Sequence, residues 1–183
     1  MPARIAPITG KEDVPAAHHG VVDEILKVFG GVRGPFSMLL HSPELAGRVI
    51  KLVTFFRDHS VVADKLRSVG ILAAVREREA AYVWSAQVGA ARRNGLSDAV
   101  IDLLRAKGDP SGLSAEERDI VTYARQLMRT NKVEKAVFDR LNDRFGVQWM
   151  VEFTAAINYF AMLCGIVNAF EVPAPADGDK LPA

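Results

Sequence analysis

From Phe153 to Phe170 the chain reads "FTAAINYFAMLCGIVNAF", 18 residues without a charge. A run of that length must be covered, either by lipid or by protein. Asn158 and Asn168 interrupt it, Glu152 and Glu171 bracket it, and no Lys/Arg cluster adjoins it. Those features argue against insertion. They predict a helix buried in a helical domain or against a partner subunit, so the rest of the chain must supply its cover.

The rest is written as helices. "VVDEILKVF" places Val21, Val22, Ile25, Val28 and Phe29 on one face. "GGVRGPF" interrupts it with glycine and proline. "HSPELAGRVIKLVTFFRDH" restarts with Ser42 at the N-cap, Pro43 at the first helical position and Glu44 in the first turn. A third helix is expected from about Val61 to Arg78, and a fourth over "AAYVWSAQVGAARRNGLS", closed by Gly95 in the left-handed region. Ser97 opens the next, Ser114 and Glu117 form a capping box, and a further helix covers about Glu134 to Phe145. No strand-type alternation persists, so the fold class is all-α. The organisation expected is an N-terminal extension (1–13), a single helical domain (14–172) and a Pro-rich tail (173–183) that drapes or dangles.

Composition excludes several function classes. Basic and acidic residues nearly balance, 23 against 22, giving no electrostatic reason to expect nucleic acid or an anionic membrane. Cys164 is the only cysteine, so neither an intrachain disulfide nor a CxxC pair nor a thiolate-rich metal site can form. The N-terminus lacks the apolar segment of a secretory signal, so a cytoplasmic protein is the expectation. Neither a metal nor another cofactor is expected.

Taken together, "HSPELAGRV", "LRSVGILAAVREREAAYVWSAQ", "ARRNGLSDAVIDLL" and "FGVQWMVEFTAAINYF…NAFEV" resemble the carboxymuconolactone decarboxylase family, which includes the alkylhydroperoxidase D-like proteins. The likeness spans about Val21 to Val172. It implies a helical bundle that assembles as trimers, hexamers or related oligomers. The redox branch of that family carries a Glu, then a CxxC twelve residues on, then a His four residues after the second Cys. Here those positions hold Ser68, Ala80, Val83 and Gln87. Peroxide reduction by that route needs a low-pKa thiolate, a resolving thiol and proton-moving groups, and all are replaced. Thiol peroxidase activity is not expected. A second branch keeps "YEWxxH"; "YVWSAQ" retains Tyr82 and Trp84 but has Val83 and Gln87 for its ionisable groups.

Four histidines remain as candidates. His18 and His19 are neighbours on a helix and point about 100° apart, poor geometry for one metal; His19 is expected to pair with Asp23 at the surface. His41 precedes a helix cap, and Arg57, Asp58 and His59 cluster at a helix end. Tyr82 and Trp84, two residues apart, cannot share one helix face.

The reading is cofactor-free lyase or isomerase-type chemistry on a small organic acid or lactone. Gln87 and Tyr82 would orient an oxygen, Arg57 would hold a carboxylate, and His59 or His41 would move a proton. Ser68, Val83 and Trp84 would line the site. The partners expected are that small molecule and further copies of the chain, as a dimer, trimer or hexamer. The alternative is a non-catalytic ligand-binding or assembly protein on the same scaffold.

Overall fold

The computed structural model describes residues 2–182, which contain helices and turns and no strand. The helices are α1 (His19–Phe29), α2 (Pro35–Leu39), α3 (Pro43–Asp58), α4 (Asp64–Glu77), α5 (Ala81–Arg93), α6 (Asp98–Arg105), α7 (Ala115–Thr130) and α8 (Lys135–Ala169). Single 3-10 turns at Lys11–Asp13, Ala16–His18 and Pro110–Gly112 complete the list of helical elements.

Helix α4 is the axis of the domain. Every residue from Arg67 to Arg76 is buried, and α4 packs against α5, α7 and α8. Small residues at Gly70, Ala73 and Ala74 let those neighbours approach closely. At Gly70 the approach is closest: a Cβ there would lie 2.3 Å from the Phe153 ring of α8. Phe153 is backed by Trp149, stacked at 4.7 Å, which in turn stacks on Phe145 at 4.4 Å. The charged ends of this buried stretch are satisfied. Arg67 donates to Val62 O at 2.7 Å and to Asp64, and Arg76 to Arg105 O at 2.6 Å and to Glu79.

The punctuation acts largely as its residue types dictate. Gly95 takes φ +85°; its N–H donates to Arg92 O, and Leu96 N–H to Ala91 O, the paired bonds of a Schellman C-terminus. Ser97 caps α6, and Ser114 and Glu117 cap each other at the start of α7. Gly146, at φ +82° and ψ +170°, breaks the helical path inside α8, between the amphipathic segment and the apolar one.

Three local expectations change. The glycine-rich break contains a helix: Pro35 opens α2 with no N–H to lose. Helix α4 begins at Asp64 rather than Val61, because Val61 N–H donates to Glu152 and Val62 N–H to Ser60. Ser42 occupies the cap position of α3, but its side chain makes no capping bond.

Helix α8 is the one helix among the described residues long and apolar enough to cross a membrane, and half of its most apolar window is buried within the chain. Its inner face carries Phe153, Ile157, Phe160 and Cys164. Its outer face leaves Val147 and Val151 69% and 63% exposed, with Met162 further along. The described segments at either end rest on the bundle. Arg4 N–H donates to Phe170 O, and Ile8 N–H to Ser37 O. The tail drapes rather than dangles: Asp179 accepts from Arg92 and Arg105, and Gly178 rests on Ser85.

Candidate functional site

A cavity of about 620 Å³ opens between α3, α4, α5, α8 and the α1–α2 junction. Helix geometry explains which residues reach it. On α4 these are Asp64, Arg67, Ser68 and Ile71, at i, i+3, i+4 and i+7; on α5 they are Val83, Ala86, Gln87 and Ala90 at the same spacing. Trp84 and Val88, about 100° around α5, are turned into the core instead. Phe29, Phe36, Phe56 and Phe160 supply the apolar wall, and Pro175 of the tail adds to it.

Five of the residues singled out from sequence come together here: Arg57, Ser68, Tyr82, Val83 and Gln87 all line the cavity. Three do not. Trp84 is fully buried in the core, with the Arg105 guanidinium 5.8 Å from its ring centroid. His41 binds Ala6 O through Nε2 at 3.0 Å, holding the N-terminal segment. His59 is exposed and lies against the Phe55 ring, centroids 6.5 Å apart. Arg57, Asp58 and His59 adjoin in sequence, but successive residues at a helix end point in different directions, and only Arg57 reaches the cavity. His19 binds Val14 O rather than Asp23, which pairs with Lys11.

The site also contains residues that sequence reasoning missed. Asn94 Nδ2 donates to Ser68 Oγ at 2.9 Å, so an amide–hydroxyl pair occupies the place of the redox branch's glutamate. Arg33, Arg67, Arg93 and Asp64 complete the polar lining. The i, i+3, i+4 pattern of Asp64, Arg67 and Ser68 was a readable signal; Arg33, inside a glycine-rich turn, carried none.

Tyr82 is seated by Gly34. That glycine has φ +60°, and a Cβ on it would lie 2.2 Å from the Tyr82 ring and 2.8 Å from its hydroxyl oxygen. Conformation and space both demand glycine there. Burial raises the Tyr82 phenol above its ordinary pKa and the charge of Arg33 partly opposes this, so the group is a neutral O–H donor near pH 7. Two of the lining arginines are already engaged. Arg57 grips Asp58 with two bonds, at 2.7 and 2.9 Å, which raise its own pKa, and Arg67 holds Asp64.

Among the described residues no thiol lines the cavity. Ala80 and Val83 stand at the N-terminal turn of α5 without sulfur. Cys164 is buried outside the lining, and burial pushes its thiol up to about 12, so it stays protonated and a poor nucleophile. Among the described residues no group of three His, Cys, Asp or Glu side chains is placed to hold a metal.

No protein-family pattern and no curated protein matches the chain in sequence. Its fold does match solved structures. One is an uncharacterized peroxidase-related protein with an alkylhydroperoxidase AhpD core from Ralstonia eutropha JMP134, with TM-score 0.78 and 14% identity over 96% of this chain and 93% of that one. A protein of unknown function from Agrobacterium tumefaciens, described as a putative antioxidant defence protein AhpD, matches at TM-score 0.68 and 18% identity over 79% of this chain and all of that one. The debrominase Bmp8, in a cysteine-to-alanine form complexed with 2,3,4-tribromopyrrole, matches at TM-score 0.73 and 18% identity over 94% and 91%. The chain has the alkylhydroperoxidase D-like fold.

Proposed function

We propose that this protein binds a small organic acid or lactone in the cavity and performs cofactor-free lyase or isomerase-type proton chemistry on it. The observation that carries the reading is the lining itself. The positions that would run thiol chemistry on this fold hold Ser68, Val83 and Gln87, yet they still face an open cavity. That the debrominase of this fold holds a halogenated pyrrole supports a flat, ring-sized ligand between the phenylalanines here.

In a decarboxylation the carboxylate leaves as CO₂, and its bonding pair moves onto a conjugated carbonyl oxygen. Gln87 and Tyr82 donate hydrogen bonds to that oxygen as charge develops on it. With His41 and His59 outside the cavity, the proton that quenches the carbanion comes from water, while the Tyr82 O–H stays on the enolate oxygen. Ser68, locked to Asn94, shapes the floor. The exposed apolar stripe of Val147, Val151 and Met162 on α8 is the surface proposed for self-association, read directly by sedimentation.

One observation favours a second reading, binding without turnover. Apart from arginines, the lining offers only Asp64 and Tyr82 as proton-exchanging groups. A panel of unsaturated carboxylic acids and lactones, followed by CO₂ release and ultraviolet absorbance, separates the two. Turnover that falls about 100-fold or more in folded Tyr82→Phe or Gln87→Leu variants is the expected result. Binding without turnover selects the second reading, and absence of both across the panel overturns the proposal.

A further inference from the structure

The cavity wall carries four guanidinium groups, from Arg33, Arg57, Arg67 and Arg93, against one lining carboxylate, Asp64. Two of the four are answered: Arg57 by Asp58, just outside the lining, and Arg67 by Asp64. The other two are not. Arg33 makes a single bond, from Nη2 to Phe29 O at 3.1 Å, which leaves most of its donors free and its charge unpaired among the described residues. Arg93 forms no ion pair among the described residues. It lies back along α5 over Gly89, where an added Cβ would make only ordinary contact with its Nη1, at 3.6 Å, and it lines the cavity.

We propose that the cavity selects an anion with a flat apolar body, and that Arg33 and Arg93, rather than Arg57, are the residues that recognise its negative charge. The inference rests on the cavity being the binding site and adds to it the charge of the ligand and the groups that read it. A guanidinium without a carboxylate partner keeps its forked donors free for a carboxylate, sulfonate or phosphate, and Arg33 and Arg93, both exposed at the cavity wall, offer them without breaking an ion pair. One already gripped in two bonds by Asp58 must break them first. The phenylalanines of the wall take the apolar body: Phe29 and Phe36, on either side of Arg33 in the chain and 5.2 Å apart between centroids, offer tilted faces to a planar ring. A neutral lactone would use the same wall but gain nothing from the two charges, so the acid is the preferred form.

The test uses two probes of matched shape. One is 1-anilinonaphthalene-8-sulfonate, an aromatic anion; the other is N-phenyl-1-naphthylamine, its neutral parent. Both report apolar binding by fluorescence. The expected result is that the sulfonate binds the parent protein more tightly. Arg93→Gln and Arg33→Gln should each weaken it about tenfold while changing the neutral probe less than about twofold. Arg57→Gln should weaken the sulfonate less than either. Raised salt should lower the sulfonate's affinity alone. Equal affinity for the two probes, or sulfonate binding insensitive to both substitutions, overturns the inference while leaving the cavity reading intact. Failure of both probes to bind the folded protein overturns the cavity reading as well.

Discussion

Gly70→Ala lowers the unfolding free energy by about 2–3 kcal/mol, because the added methyl cannot be accommodated by small shifts. The Cβ would stand 2.3 and 2.4 Å from Cε2 and Cζ of Phe153 and 3.2 Å from the Ile157 methyl. The ring cannot recede, being held from behind by Trp149 at 4.7 Å and flanked by Tyr123 at 5.7 Å. Phe153→Ala costs more, about 3–5 kcal/mol, since it empties the contact between α4 and α8. The two substitutions address one space, so combining Gly70→Ala with Phe153→Ala should cost less than the sum of the single variants. Urea unfolding measures all three, and a Gly70→Ala loss below about 0.5 kcal/mol would contradict the packing described here.

Gly34→Ala acts on the site. Its φ of +60° with ψ of −135° suits glycine alone, and the methyl would collide with the Tyr82 ring at 2.2 Å. Strain and overlap together cost about 2–4 kcal/mol if the local fold is held. The cheaper escape is for Tyr82 to swing away, which removes the phenol from the wall. The expected result is therefore a mixed one: partial loss of stability, and at least about a tenfold fall in N-phenyl-1-naphthylamine affinity. Unchanged affinity in a destabilised variant would show that Tyr82 is not part of the binding wall.

How far the sequence could be read depended on whether a residue's partner was local. Gly95, Ser97, Ser114 and Glu117 act on backbone groups a few residues away, so their types alone announce the helix ends they make. Gly146 likewise marks the break in α8. The start of α4 was not legible, because it is decided by Glu152, 91 residues along the chain, accepting from Val61 N–H. The all-α class followed from helical periodicity, and the half-buried apolar helix from its charge-free length. The cavity residues Ser68, Val83 and Gln87 followed only from their places in a family-like pattern.

The histidines were misplaced for a definable reason. His59 stands beside Arg57 in sequence, but adjacency at a helix end does not mean a shared direction, and the cavity takes Arg57 alone. His41 is occupied by the N-terminal segment, whose path no local signal predicts. Arg33 and Arg93 carried no site signal, because a charge in a turn and a charge at a helix end read as solvated; both are exposed, and only the fold brings them to one cavity wall.

On the proposed function the cavity of this protein handles protons and not electrons. Hydroperoxide consumption by the purified protein, with a dithiol reductant present and beside a Cys164→Ser variant, is the decisive measurement. No consumption above the protein-free control is expected for either form, since Cys164 is buried, protonated and without a second thiol. Sustained turnover by the parent protein, whether or not Cys164→Ser abolishes it, would overturn that reading.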